Sequence, residues 1–323
     1  MLSVTVQDDR LYVGDRFSMS FQRTLRIPDD GNQYPLPPGL GKFPIKSVAE
    51  FADHVPQAWQ GENSFLIPMY QREALWLGFD GAPWKPNAVK IAIGRVNAIS
   101  GERWNEGLKA QPQNYIVTPQ QPWLDGIKAG VGSIRQFVAM PLGLGYTIEA
   151  QISGKDEFGG IEIIVYEPSP GKFPDEAPPQ PLSGLYSQPL MDMTFEMGLG
   201  AGGEIKQKIY PDPYGVDTWD TDNYGEVTIH IVNSEQYQQI ASREPPPSPI
   251  SAKTYTEYGL PWFDLYDEQK GDLPTSERLK GIKSIQEIER SRGGAPQPND
   301  ESINVKNSMV QKLHLESGCQ EDG

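Results

Sequence analysis

The stretch FSMSFQRTLRI, residues 17–27, decides the reading of this chain. Phe17, Met19, Phe21, Leu25 and Ile27 share one parity, and Ser18, Ser20, Gln22, Thr24 and Arg26 share the other. Period-two alternation over about ten residues predicts a long, half-buried β-strand. Leu2, Val4 and Val6 repeat the pattern before it, with Asp8-Asp9 as a turn into Leu11 and Val13. Beyond it, short apolar runs near 65–67, 74–79, 88–96, 115–118, 134–140, 161–166, 204–210 and 226–232 predict further strands, and Met191, Met193, Phe195 and Met197 alternate in the same way. With 33 Gly and 30 Pro placed between the runs, the chain reads as mainly β: a sandwich or barrel-like core with a few short helices.

Three helices are expected. Ser47, with Glu50 at the capping-box spacing, starts one over 48–55. Asn233 or Ser234 caps one over 235–241, and Thr275 or Ser276 starts one that runs to about Arg290, weakened by Gly281. This divides the chain into a β-rich core over 1–243, an extended aromatic arm with a short helix over 244–290, and a polar tail over 291–323 that is expected to be disordered. The Pro-rich segment 167–189 either separates two subdomains or forms a long crossover inside one. Segment 147–152 does not declare its type.

Composition excludes much chemistry. The chain has three histidines and one cysteine, Cys319. A Cys/His zinc site needs about four such ligands, and a single cysteine allows no internal disulfide. Net charge is −15 and pI ≈ 4.7. Such a surface repels nucleic acid and anionic membranes and attracts cations. No apolar run approaches the ~18–20 residues of a helical membrane span. MLSVTVQDDR shows no basic or apolar leader region, so cytoplasmic residence is the expectation.

Four candidate sites stand out. Gly198-Leu199-Gly200-Ala201-Gly202-Gly203 fits G-x-G-x-x-G, but Lys206 and Lys208 alternate with Ile205, Gln207 and Ile209 where a dinucleotide site needs a helix. A glycine hairpin turn is the expected reading. Residues 212–226 (DPYGVDTWDTDNYGE) gather Asp217, Asp220 and Asp222, with no Lys or Arg between Lys208 and Arg243. Oxygen-only ligands of this kind suit Ca²⁺, so Asp217, Asp220 and Asp222 are the candidate metal ligands, against a plain acidic turn. The seven tryptophans lie mostly beside Pro or Gly. Trp84, Trp123, Trp219 and Trp262 are the candidate ligand platform, against use as plugs of a β core. Finally, a Ser-His-Asp hydrolase would have to use His54 or His230, and no G-x-S-x-G motif is present. Acidic residues beside aromatics, Asp80, Asp125, Glu149, Glu196 and Asp264 among them, leave a carboxylate pair open.

The blocks FQRTLRIPDDGNQYPLPPGLGKFP (21–44), IPMYQREALWLGF (67–79), QPWLDGI (121–127), IRQFVAMPLGLGYTIEAQISG (134–154), YPDPYGVDTWD (210–220) and YTEYGLPWFDLYDE (255–268) resemble a family of uncharacterised bacterial and fungal proteins. The resemblance covers about residues 16–290. It implies no established activity and carries over no catalytic residue. Some members bear the label of integral membrane protein, which the alternating apolar pattern here does not support. Two function classes follow: a non-catalytic binding or assembly protein with an unknown ligand or protein partner, including a homo-oligomer, and a carboxylate-based enzyme acting on carbohydrate, with Ca²⁺ as its cofactor.

Overall fold

The computed structural model describes residues 1–176, 197–265, 270–295, 297 and 300–313. The protein is mainly β, as the alternation predicts. The eight longest strands of its 17-stranded main sheet are β1 (Phe17–Thr24), β2 (Ser64–Met69), β3 (Ala74–Asp80), β4 (Asn87–Ile93), β5 (Ser133–Pro141), β6 (Ile161–Pro168), β7 (Met197–Lys206) and β8 (Trp219–Asn233). Pairing is antiparallel from β1 to β3, β3 to β5, β5 to β7, β8 to β6 and β6 to β4. A single Met197↔Ile231 pairing links β7 to β8, and β2 lies parallel to β8. A hairpin of Val4–Gln7 and Arg10–Val13 pairs with β1, and the Leu2 amide before it donates to the Tyr224 carbonyl of β8 at 2.9 Å, so the hairpin curls back on the far strands in a barrel-like closure.

The inward parity fills one core. Phe17, Met19 and Phe21 of β1 are at most 1% exposed, and each such side chain contributes roughly 1.5–3 kcal/mol on burial. The outer faces are covered as well, which is why β4 and β6 are buried along their whole length. Helix α2 (Ser234–Ala241) brings Tyr237 and Ala241 onto Leu66 and Val232, while Ile285 covers Ala74, Val138 and Met140. Strand β1 ends at Thr24, yet the alternation runs on to Ile27. The Gln136 side chain substitutes for a strand there: its amide donates to Leu25 O, and its carbonyl accepts from Ile27 N, both at 2.9 Å.

Five expectations need correction. The glycine block 198–203 is no turn. It is the interior of β7, in register with Phe137 to Met140 of β5. A Cβ at Gly203 would lie 2.4 Å from Pro28 O, and one at Gly202 2.6 Å from Val138 Cγ2, so the glycines let neighbouring chain lie flat on the strand. The helix expected over 48–55 is a single 3-10 turn, Val48–Phe51, though Glu50 does accept from the Ser47 amide at 3.2 Å. The aromatic arm is not extended throughout. Ser251 accepts from Thr254 N and caps α3 (Ala252–Glu257), and only then does strand β9 (Trp262–Leu265) follow. The last expected helix breaks at Gly281 into α4 (Glu277–Lys280) and α5 (Ile285–Ser291).

The fifth correction concerns the tail. Residues 300–313 dock on the core. Asp300 is 3% exposed and ion-paired to buried Arg26, and β10 (Val310–Leu313) lies parallel to β9. The polar composition misled because a few apolar side chains, Ile303, Val305, Met309 and Val310, pack on the core beside the ion pair and the backbone pairing. Strands on both sides of the Pro-rich 167–189 segment join the same sheet, β6 before it and β7 after it. Met191, Met193, Phe195, Glu196, His314 and Cys319 lie outside the described residues.

Candidate functional site: a basic cleft on an acidic protein

Three elements wall a cleft of 480 Å³. The first is the turn after β4. Gly94 and Arg95 both take left-handed φ, 53° and 61°, as a two-residue hairpin turn requires. Gly94 is also needed for space, since a Cβ there would meet Glu149 Oε2 at 2.5 Å. The second is α1 (Ile148–Ser153), the segment whose type the sequence leaves open. Thr147 caps it by accepting from Ala150 N at 3.0 Å, and Gly154 in αL stops it. From its first turn Glu149 accepts from the amides of Glu157, Phe158 and Gly159 at 2.9–3.2 Å and so pins the loop that follows. The third is α4, which brings Arg278.

The charged residues lining this cleft are mainly cationic, Arg95, Arg103, Lys155 and Arg278 against Glu149 and Glu157, with Trp104, Ile152 and Phe158 between them. A second cleft of 440 Å³ shares Ile152 and Arg278 and adds Lys283 and Arg292. Two acids line the pair. Glu149 has both oxygens occupied by backbone amides, and Glu157 is bound to Lys155 at 3.1 Å. Among the described residues, the Arg103, Arg278 and Lys283 side chains have no carboxylate partner. The Arg95 guanidinium lies 4.5 Å from the Phe158 ring centre, and that of Arg292 4.6 Å from the Tyr146 ring. Such stacking limits the freedom of long side chains before any ligand arrives.

Buried charges support this surface from below. Lys90 is 1% exposed, and its ammonium donates to Asn105 O at 2.6 Å and Asn105 Oδ1 at 3.1 Å. It holds the loop carrying Arg103 and Trp104, with its Nζ 5.5 Å from the Trp104 ring. Burial lowers its pKa to about 8. Glu162 on β6 accepts from the Arg95 amide at 2.9 Å. Burial, helped by the Glu149 charge, pushes its carboxyl up to about 7, against the pull of the Arg95 amide and guanidinium.

The structure separates the expected tryptophan platform. Trp262 is fully buried in the main core, and Trp219 is buried in a different cluster, its indole donating to Asp212 Oδ2 at 2.9 Å. Trp123 is half-buried on the main core, and half-buried Trp84 faces the Arg16 guanidinium at 5.8 Å. No two of these rings stack on each other among the described residues. They act as plugs. The acidic block does not form a calcium loop either. Asp217 sits in the short 3-10 turn Val216–Thr218, while Asp220 and Asp222 belong to β8, where Asp220 Oδ1 accepts from Asp222 N at 2.9 Å. Among the described residues, no three His, Cys, Asp or Glu side chains are grouped as a metal ion would need.

His230 does meet a serine: its Nε2 lies 3.1 Å from Ser64 Oγ. The Ser64 hydroxyl has one hydrogen, and it donates that to the Trp59 carbonyl at 2.6 Å. Ser64 therefore accepts from His230 rather than giving it a proton. The imidazole is stacked under Trp59 with ring centres 4.3 Å apart, and burial lowers its pKa to about 4. The pair is structural. An 800 Å³ cleft beside Ser64 is lined by Asp8, Asp9, Glu50 and Glu62 against Lys46 alone, but Asp9 accepts from Ile45 N and Glu50 from Ser47 N. His54 is exposed.

Comparison of the chain with protein-family models, with curated proteins and with solved structures finds no match. The candidate residues thus rest on geometry. Sequence reasoning passed over Arg95, Arg103, Lys155, Arg278, Lys283 and Arg292 because they are scattered over nearly two hundred positions. The only local signal was Gly94-Arg95 ending a strand beside Trp104.

Proposed function

We propose that this protein is a non-catalytic binding protein that takes an anionic ligand in the cleft formed by Arg95, Arg103, Lys155 and Arg278. One observation carries the reading: a chain of net charge −15 gathers six cations along two adjoining clefts against two acids, and three of the six, Arg103, Arg278 and Lys283, have no carboxylate partner among the described residues. Unpaired cations held together repel one another, so their grouping favours occupation by an anion. Arg guanidinium also matches phosphate, sulfate and carboxylate in a two-pronged way. The alternative, a carboxylate-based enzyme, needs an acid pair free to face substrate. The acids of the Arg95 cleft are occupied, which supports the binding reading over it.

Tripolyphosphate is a suitable probe. It should raise the melting temperature at low salt, and less so at physiological salt, because a ligand of the folded state stabilises it by mass action and exposed charges are screened. Arg103→Glu combined with Arg278→Glu should remove the response. Lys172→Glu, which lines neither cleft, should keep it. A parent protein indifferent to tripolyphosphate, or a double variant that responds like the parent, would overturn the reading.

A further inference from the structure

We infer that the two clefts form one docking groove for an acidic segment of a partner protein, a segment that also carries apolar anchors. This rests on the anion-binding reading and narrows it. The clefts adjoin, since Ile152 and Arg278 line both. Apolar side chains share the lining with the cations: Ile152 is half-buried where the clefts meet, and Phe158 and Leu144 stand half-exposed, at 50% and 52%, beside them. Arg with aromatic side chains is the composition of protein-recognition surfaces.

These exposed apolar groups argue against purely ionic polymers, which gain nothing from Ile152 or Phe158. The rings argue against a nucleic acid strand. Phe158 and Tyr146 already carry guanidinium groups on one face, and aliphatic side chains offer no stacking platform. A long strand would also run from the groove onto an acidic surface. A short acidic peptide avoids this, because screening at physiological salt confines the repulsion to about 8 Å. Glutamates or aspartates would meet Arg95, Arg103 and Arg278, while Leu, Ile or Phe side chains would seat on Ile152 and Phe158. Thr147, Gly154 and the Glu149 amide bonds hold the groove wall in place, so little ordering is left for binding.

The test is selection of random dodecapeptides on the immobilised full chain, followed by fluorescence titration of the winners beside tripolyphosphate. Enriched peptides should combine Asp or Glu with Leu, Ile, Phe or Trp. Arg278→Glu should weaken both probes by about tenfold or more. Ile152→Ser and Phe158→Ser, each checked for a parent-like melting curve, should weaken the peptide more than tripolyphosphate. Lys283→Glu with Arg292→Glu should do the same, because these two line only the second cleft. Three results would overturn the docking groove while leaving the anion site standing: no enrichment of acidic-apolar peptides, equal losses for both probes in every variant, or a short single-stranded DNA that outcompetes the best peptide. Failure of tripolyphosphate to bind at all would bring down the underlying reading as well.

Discussion

Glu162 offers the sharpest test of the electrostatics beneath the cleft. Its side chain is 7% exposed and accepts the Arg95 amide, while the Arg95 guanidinium stands 3.9 Å away. In the unfolded chain the carboxyl has its ordinary value of 4.5, and in the folded protein it titrates at about 7, chiefly because of burial. The sign follows from proton counting. Between these values the folded state holds a proton that the unfolded state has released, so this group stabilises the protein most at acidic pH, and its contribution falls as pH rises from about 4.5 to 7. The interval is about 2.5 pH units, worth about 1.4 kcal/mol each, which makes about 3.5 kcal/mol an upper bound. Glu162→Gln keeps an acceptor for the Arg95 amide and abolishes the titration. Urea unfolding of parent and variant at pH 5, 6, 7 and 8 isolates the effect by difference. The two should be nearly equal at pH 5. By pH 8 the variant should be the more stable by about 1–3 kcal/mol. Parallel pH curves, or a variant weaker than the parent at pH 8, would refute the argument that Glu162 is a buried carboxylate held at a cost.

Other expectations follow from the packing. Asp300→Ala strands the buried Arg26 guanidinium and should cost about 3–5 kcal/mol in unfolding free energy, whereas an indifferent variant would mean that 300–313 does not dock. Trp262→Ala should cost about 3–5 kcal/mol and Phe263→Ala distinctly less, since Trp262 is fully buried and Phe263 only partly; equal melting temperatures would contradict this. Gly203→Ala should destabilise by about 2 kcal/mol or more, because the new methyl meets backbone oxygen at Pro28, and a neutral result would argue that 198–203 is a turn after all. Lys90→Met should loosen the Asn105 loop and speed amide exchange there, an effect absent if Trp104 is held by other contacts.

The class of fold was legible because parity is local: Phe17, Met19 and Phe21 announce their face without help from the rest of the chain. Its exceptions were tertiary. Nothing near Gly200 in the sequence says that Ile285 and Met140 press on it, so a glycine-rich strand reads as a turn. Asp300 looks like tail composition until Arg26 is seen opposite. The same limit hid the cleft. Lys155 and Arg278 are far apart in sequence, and only the sheet brings α1 and α4 to the Arg95 turn. The acidic loop and the tryptophans attracted attention because they cluster along the chain, yet the fold placed the first on a strand and used the second as plugs.

The Arg26–Asp300 pair joins residues 274 positions apart, and Ile303 reaches Tyr34 across 269. Synthesis makes this an ordering problem. When β1 leaves the ribosome, its ionic partner does not yet exist, and at about 5–20 residues per second it arrives many seconds later. Throughout that interval Arg26 has no carboxylate from residues 300–313, and the face that Trp262 will fill stands open. Completion of the packing around Arg26 therefore waits on translation of residues 300–313, and stalling the ribosome before Asp300 should leave a nascent chain with a protease-sensitive β1.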